Sequence, residues 1–71
     1  MQRTAVNSDK ILSIGYNAEL QVLEIEFADK RVYQFVRVST EVYASLINAP
    51  DKYSYYLAHI MNEFAGQCIS V

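Results

Sequence analysis

One histidine and one cysteine limit the reactions this chain can run. His59 stands four residues after Tyr55 and four before Glu63, a spacing that lines up all three along one side of a helix. As chemistry this would be an imidazole supported by a carboxylate, the smallest unit for general acid–base work, and it would still need a second positioned group. No such partner is set by spacing, and an exposed i,i+4 pair worth about 0.2–0.5 kcal/mol explains the residues as well. One histidine cannot build a histidine-based metal site. Cys68 has neither a helix N-terminus nor an activating base before it, so it reads as a small packed hydrophobe rather than a nucleophile. Glu24 and Glu26 share a strand face, and their alternation with Leu23, Ile25 and Phe27 is accounted for by solvation of that face. Gly15 and Gly66 stand alone, so no glycine-rich loop is present to cradle phosphate. Catalytic residues, metal ligands and cofactor sites are all expected to be absent, and the chain reads as non-enzymatic.

Binding chemistry remains. Tyr33 and Phe35 offer two π surfaces on one strand face, flanked by Lys30, Arg31 and Arg37; Arg37 shares their face if the strand is regular. Stacking a base on such a ring is worth about 1–3 kcal/mol, but Glu24, Glu26 and Asp29 oppose the positive field. The competing reading is a protein interface. Tyr53, Tyr55 and Tyr56 crowd one helix, and tyrosine-rich patches recur at interfaces. Core packing explains Tyr56, Leu57, Ile60 and Phe64, which leaves Tyr55 as the better interface candidate. Ile69 and Val71 offer an apolar edge that can augment a partner's sheet.

The 71 residues, 52% of them hydrophobic, have room for one small domain, 1–71, with an ordered core over about 10–65 and looser ends at 1–9 and 67–71. A chain of this size buries only about 60% of its unfolded surface. It has no disulfide to staple it, so the nine aromatics must carry stability, helped by packing or self-association. The net charge of −2, with signs interspersed, argues against a phosphate-binding surface. No apolar run approaches the roughly 20 residues that span a bilayer, and no leader pattern opens the chain. A cytoplasmic location agrees with the lone thiol.

These side chains must be positioned by two kinds of element. Hydrophobic periodicity changes from two to about 3.6 near Ser39. Before it, Leu12, Ile14 and Tyr16 alternate with Ser13 and Gly15, and Asn17-Ala18-Glu19 makes a turn. Leu23, Ile25 and Phe27 then alternate with polar residues, and a β-branched and aromatic run follows from Val32 to Val38. After it, Ser39 or Thr40 caps a helix that ends before Pro50, and Asp51 caps a second. That second helix has apolar positions at Tyr53, Tyr56, Leu57, Ile60, Met61 and Phe64, with Gly66 as its stop. The fold class is α+β: a three-stranded antiparallel meander followed by two helices packed on one face of the sheet.

Hairpin parity decides where Tyr33 and Phe35 point. A two- or four-residue loop after Phe27 turns them to the opposite face from Phe27, open to solvent. A three-residue loop of Ala28, Asp29 and Lys30 packs them beside Ile25 and Leu23. Turn chemistry favours the longer option, because a two-residue type I′ turn needs positive φ at both Asp29 and Lys30. A Gln34 turned inward and left unpaired would also cost about 1–3 kcal/mol.

The order Ser13-Ile14-Gly15-Tyr16, Leu23-Glu24-Ile25-Glu26-Phe27, Val32-Tyr33-Gln34-Phe35, Val42-Tyr43 with Leu46, Asn48-Ala49 and Ser54-Tyr55-Tyr56 resembles the KTSC domain. This small family also occurs at the C-terminus of some lysyl-tRNA synthetases. The resemblance covers roughly residues 6–64 and implies a three-stranded sheet with two helices and no established catalysis. The family's Tyr-x-Tyr pattern, here Tyr33-Gln34-Phe35, implies RNA as one partner. This chain departs from the family at Lys30, Ser39, Tyr53 and Leu57. It also carries Met61, Asn62 and Glu63 where the family often has basic residues. The expected function is a non-enzymatic binding module for a protein partner or a second copy of itself. A single-stranded RNA- or tRNA-binding accessory domain using Tyr33, Phe35 and Arg37 is the alternative, which the net charge disfavours; Arg31 and Tyr55 complete the set of candidate binding residues. DNA and membrane partners are not expected.

Overall fold

Strict alternation in Leu23-Glu24-Ile25-Glu26-Phe27 builds the middle of the sheet: Leu23 and Ile25 are fully buried on one face while the glutamates take the other. The computed structural model describes residues 3–70. In chain order they form β1 (Arg3–Ala5), β2 (Ile11–Asn17), β3 (Val22–Phe27), β4 (Val32–Phe35), α1 (Thr40–Asn48), α2 (Lys52–His59) and β5 (Gly66–Ser70). All neighbouring strands are antiparallel, in the order β1-β2-β3-β4-β5. The α+β class and the β2-β3-β4 meander agree with the sequence, but the described sheet has five strands rather than three.

Both additional strands lie in segments read from sequence as loose. Arg3–Ala5 pairs with β2, and Gly66–Ser70 returns after the helices to pair with β4. Gly66 is therefore not a helix stop. It stands opposite Phe35, and a Cβ on it would meet that ring at 2.5 and 2.7 Å. The missing side chain is what leaves room for the phenyl against β5. The loose order expected of Met1, Gln2 and Val71, and the sheet-augmenting role of Val71, lie outside the described residues.

β2 departs from simple alternation. Ile11 pairs with Phe27 and Ser13 with Glu26, so Leu12 is the extra residue of a bulge. Leu12 is consequently 36% exposed, and Ile11 takes its expected place in the core.

The connection between β3 and β4 is the three-residue loop. Phe27 N donates to Arg31 O, Lys30 N donates to Phe27 O, and Lys30 adopts φ 75. Ile25 therefore faces Tyr33 and Leu23 faces Phe35. That parity turns both aromatics toward the helices and leaves Gln34 on the opposite face.

Helix α1 begins at the Ser39 cap, whose hydroxyl accepts from Val42 N, and α2 begins at Asp51, whose carboxylate accepts from Ser54 N. α2 is shorter than its periodicity predicts. A bond from Met61 N to Tyr56 O closes it in a six-to-one arrangement after His59. Ile60 still reaches the core from the turn, whereas Leu57 and Met61 are exposed. The helices contribute Leu46 and Tyr56 to the core formed with Ile14, Leu23, Ile25, Phe35 and Val38. Tyr16 is clamped over this core by a stack on Tyr43 at 4.6 Å and a hydrogen bond to Val38 O.

Candidate binding groove

Inward packing of Tyr33 creates a recess at the hairpin end of the sheet, against α2. Four rings form its continuous wall. Phe27 meets Tyr33 edge-on at 5.7 Å and Tyr56 at 5.1 Å, and Tyr56 stacks on Tyr53 at 6.0 Å. Such pairs add about 0.5–1.5 kcal/mol beyond their burial. The cavity measures about 370 Å³, and Lys10, Arg31 and Met61 complete its margin. A second recess of about 410 Å³ adjoins it, sharing Lys10 and Tyr53. Together they form one groove.

Local bonds hold the rim. Ala28 N donates to Lys10 O at 2.9 Å and pins the segment before β2 to the hairpin. Asp29 accepts from Arg31 N at 3.0 Å and faces the Arg31 side chain at 3.6 Å. Asp51 accepts from both Ser54 N and Ser54 Oγ. These bonds hold its carboxyl below the ordinary value of 3.8, the backbone N–H of Ser54 contributing most. Burial, followed by the neighbouring Tyr33 and Tyr53, pushes the Tyr56 phenol above its ordinary 10.0. Tyr56 is thus a neutral hydrogen-bonding group at any physiological pH.

Charge across the groove is balanced. Lys10, Arg31 and Lys52 line it together with Asp9, Asp29 and Asp51, three of each sign. No group of three or more metal-ligating side chains converges among the described residues.

The residues singled out in the sequence are dispersed. Tyr33 and Arg31 reach the groove. Phe35 is 3% exposed beneath it, too buried to receive a ligand. Arg37 follows the end of β4 with φ 61 and is exposed in a turn, so it does not share a strand face with Tyr33 and Phe35. The stacking surface proposed from sequence does not form. Tyr55 is half-buried, packs against the core and contacts the His59 ring at 4.5 Å. Tyr53, on the same helix, is likewise half-buried. Because α2 ends at His59, Glu63 lies past the helix, and the i,i+4 pair is not made. Cys68 is exposed, opposite Tyr33 on β5, and not a packed hydrophobe.

Sequence reasoning missed Lys10, Phe27 and Met61 as groove residues, along with Tyr53 and Tyr56. The i,i+3 spacing of the last two was a usable signal. Lys10 had none, since it is placed by a backbone bond to a distant hairpin.

The opposite face of the sheet is also more ordered than expected. Arg3 Nη1 donates to Glu24 Oε1 at 2.8 Å and Gln34 Nε2 to Glu24 Oε2 at 3.0 Å; Ser13 Oγ donates to Glu26 at 3.0 Å. Glu24 is 9% exposed, so its carboxylate is held by partners and not simply solvated.

Comparison with known proteins places this architecture. Residues 7–64 match the KTSC domain. The chain belongs to the KTSC domain family. A crystal structure of a KTSC domain protein from Yersinia pestis superposes with a TM-score of 0.94 and 32% identity, covering 97% of each chain. An uncharacterised protein of Stutzerimonas stutzeri (strain A1501) is 39% identical over 49 residues, 69% of either chain. This KTSC domain thus shares its fold with a solved relative. No helix among its described residues is long and apolar enough to cross a membrane.

Proposed function

We propose that this KTSC domain is a non-enzymatic binding module whose ligand is a segment of a protein partner seated in the groove between the β3–β4 hairpin and α2. The observation that carries this reading is the composition of the groove: a wall of four aromatic rings inside a rim whose three cations are matched by three carboxylates. Aromatic side chains supply large contact area at little entropic cost, and interface centres are enriched in them and depleted of net charge. Balanced charge works against RNA, whose affinity comes largely from neutralising phosphates. The volume of about 370 Å³ suits a few side chains of an extended peptide.

Selection from a random peptide library tests the reading. Peptides retained by the wild type are expected to lose most of their affinity for Tyr53→Ala and to bind equally well across a roughly tenfold rise in salt. Retention by Tyr53→Ala, or single-stranded RNA binding that weakens steeply with salt, would overturn it.

A further inference from the structure

Hydrogen-bonding capacity in the first recess is lopsided. Tyr33, Tyr53 and Tyr56 each make ring contacts, but none of their hydroxyls hydrogen-bonds to another described residue, and neither does Lys10 Nζ. The Tyr56 hydroxyl is not sealed from solvent, because no buried side-chain oxygen among the described residues lacks a partner. The carboxylate at its margin, Asp29, already faces Arg31, and in the adjoining recess Asp51 accepts from Ser54. Asp9, in the adjoining recess, is the exception. A fitting ligand therefore brings acceptors, few donors, flat apolar bulk and little charge.

Two common peptide shapes fail this requirement. An added β-strand needs an unpaired strand edge, yet β3 lies between β2 and β4, and β4 between β3 and β5. A helical ligand has its backbone carbonyls bonded internally, so it can meet the tyrosine hydroxyls only through individual side chains. Resting on the peptide-groove reading above, we infer that the occupant is a proline-rich segment in the polyproline II conformation. Such a segment makes no internal hydrogen bonds and leaves every carbonyl free, while each proline removes a donor. Its pyrrolidine rings lie against the half-buried rings of Tyr33 and Tyr53, and the tyrosine hydroxyls donate to its carbonyls. The conformation is formed before binding, so little ordering entropy is lost on a shallow recess.

Amide-resolved NMR titration with a capped oligoproline of about nine residues, three turns, tests the inference. A glycine-serine peptide of the same length is the control. Saturable shifts at Tyr33, Tyr53 and Tyr56 are expected with oligoproline alone. Tyr33→Phe, Tyr53→Phe and Tyr56→Phe each keep the ring and should weaken binding about three- to tenfold, whereas Tyr55→Phe should not. No saturable shift, or full affinity in all three groove variants, overturns the inference. If a library-selected peptide binds the groove and oligoproline does not, the polyproline claim falls while the peptide-groove reading stands. Failure of both sinks both.

Discussion

On the helix-covered face of the sheet, Ile14, Leu23, Ile25 and Phe35 are held by shape. On the opposite face, Arg3, Ser13, Glu24, Glu26 and Gln34 are held by bonds to one another. The difference follows from how much cover 71 residues can supply. Two short helices suffice for one face only, and the other face must be tolerable to water. A solvated face alone would leave strand register loosely specified, because period-two alternation survives a slip of two. Directional bonds from β1 and β4 to the same carboxylate of Glu24 fix how three strands line up. Packing thus supplies most of the stability, and the polar layer supplies register.

The largest effect should come from the covered face. Ile25→Ala is expected to cost about 2–5 kcal/mol by urea unfolding, a large share of the stability of so small a domain. Gln34→Ala on the opposite face should cost about 1 kcal/mol. Equal losses would break the comparison.

Gly66→Val drives a side chain into Phe35 and is expected to cost about 1–3 kcal/mol. Phe35→Leu in the same chain should recover part of that loss, read as a non-additive double-mutant cycle. Strict additivity would mean the ring and the glycine are not coupled.

The polar layer is sharpened by a smaller change. Arg3→Met should cost about 1 kcal/mol, because Glu24 is left with Gln34 as its side-chain partner. Replacing both Arg3 and Glu24 by Met should come within about 1 kcal/mol of wild-type stability, the residual loss being the Gln34 bond to Glu24, since a low-exposure ion pair often equals its apolar substitute. If the double variant is the worse of the two, the pair contributes net stability.

Extremes of pH give the smallest effects, and they separate the two ends of the groove. The lowered Asp51 value means that its contribution is complete above 3.8 and lost as pH falls through the folded value. Asp51→Asn should flatten that acid limb. The raised Tyr56 value works in the other sense: its contribution is complete below 10.0 and lost as pH rises through the folded value. Tyr56→Phe should remove that alkaline limb in thermal unfolding, and an unchanged limb would mean that its phenol is not desolvated.

Local chemistry made much of this fold legible. Alternation marked β3, the Ser39 and Asp51 caps marked where the helices begin, and the reluctance of Lys30 to join a type I′ turn pointed to the correct hairpin parity. What escaped detection was set by distant contacts. β1 and β5 are short, lack clear alternation and are defined by the neighbours they pair with. The bulge at Leu12 shifts the inward positions of β2, and the closure of α2 at Tyr56 O interrupts a helical pattern that continues in sequence. The groove was the least legible part, because it gathers side chains from the segment before β2, the hairpin, α2 and the turn after it. Only Tyr33 and Arg31 carried over from the sequence candidates.

The account turns on where a ligand sits. A peptide selected by this KTSC domain, titrated while amide shifts and the Met61 methyl are followed, decides it most directly. Perturbations centred on Lys10, Tyr33, Tyr53, Tyr56 and Met61, with Glu24, Gln34 and Gln67 unmoved, are the expected result. Perturbations centred on those last three residues would contradict it and assign binding to the opposite face of the sheet.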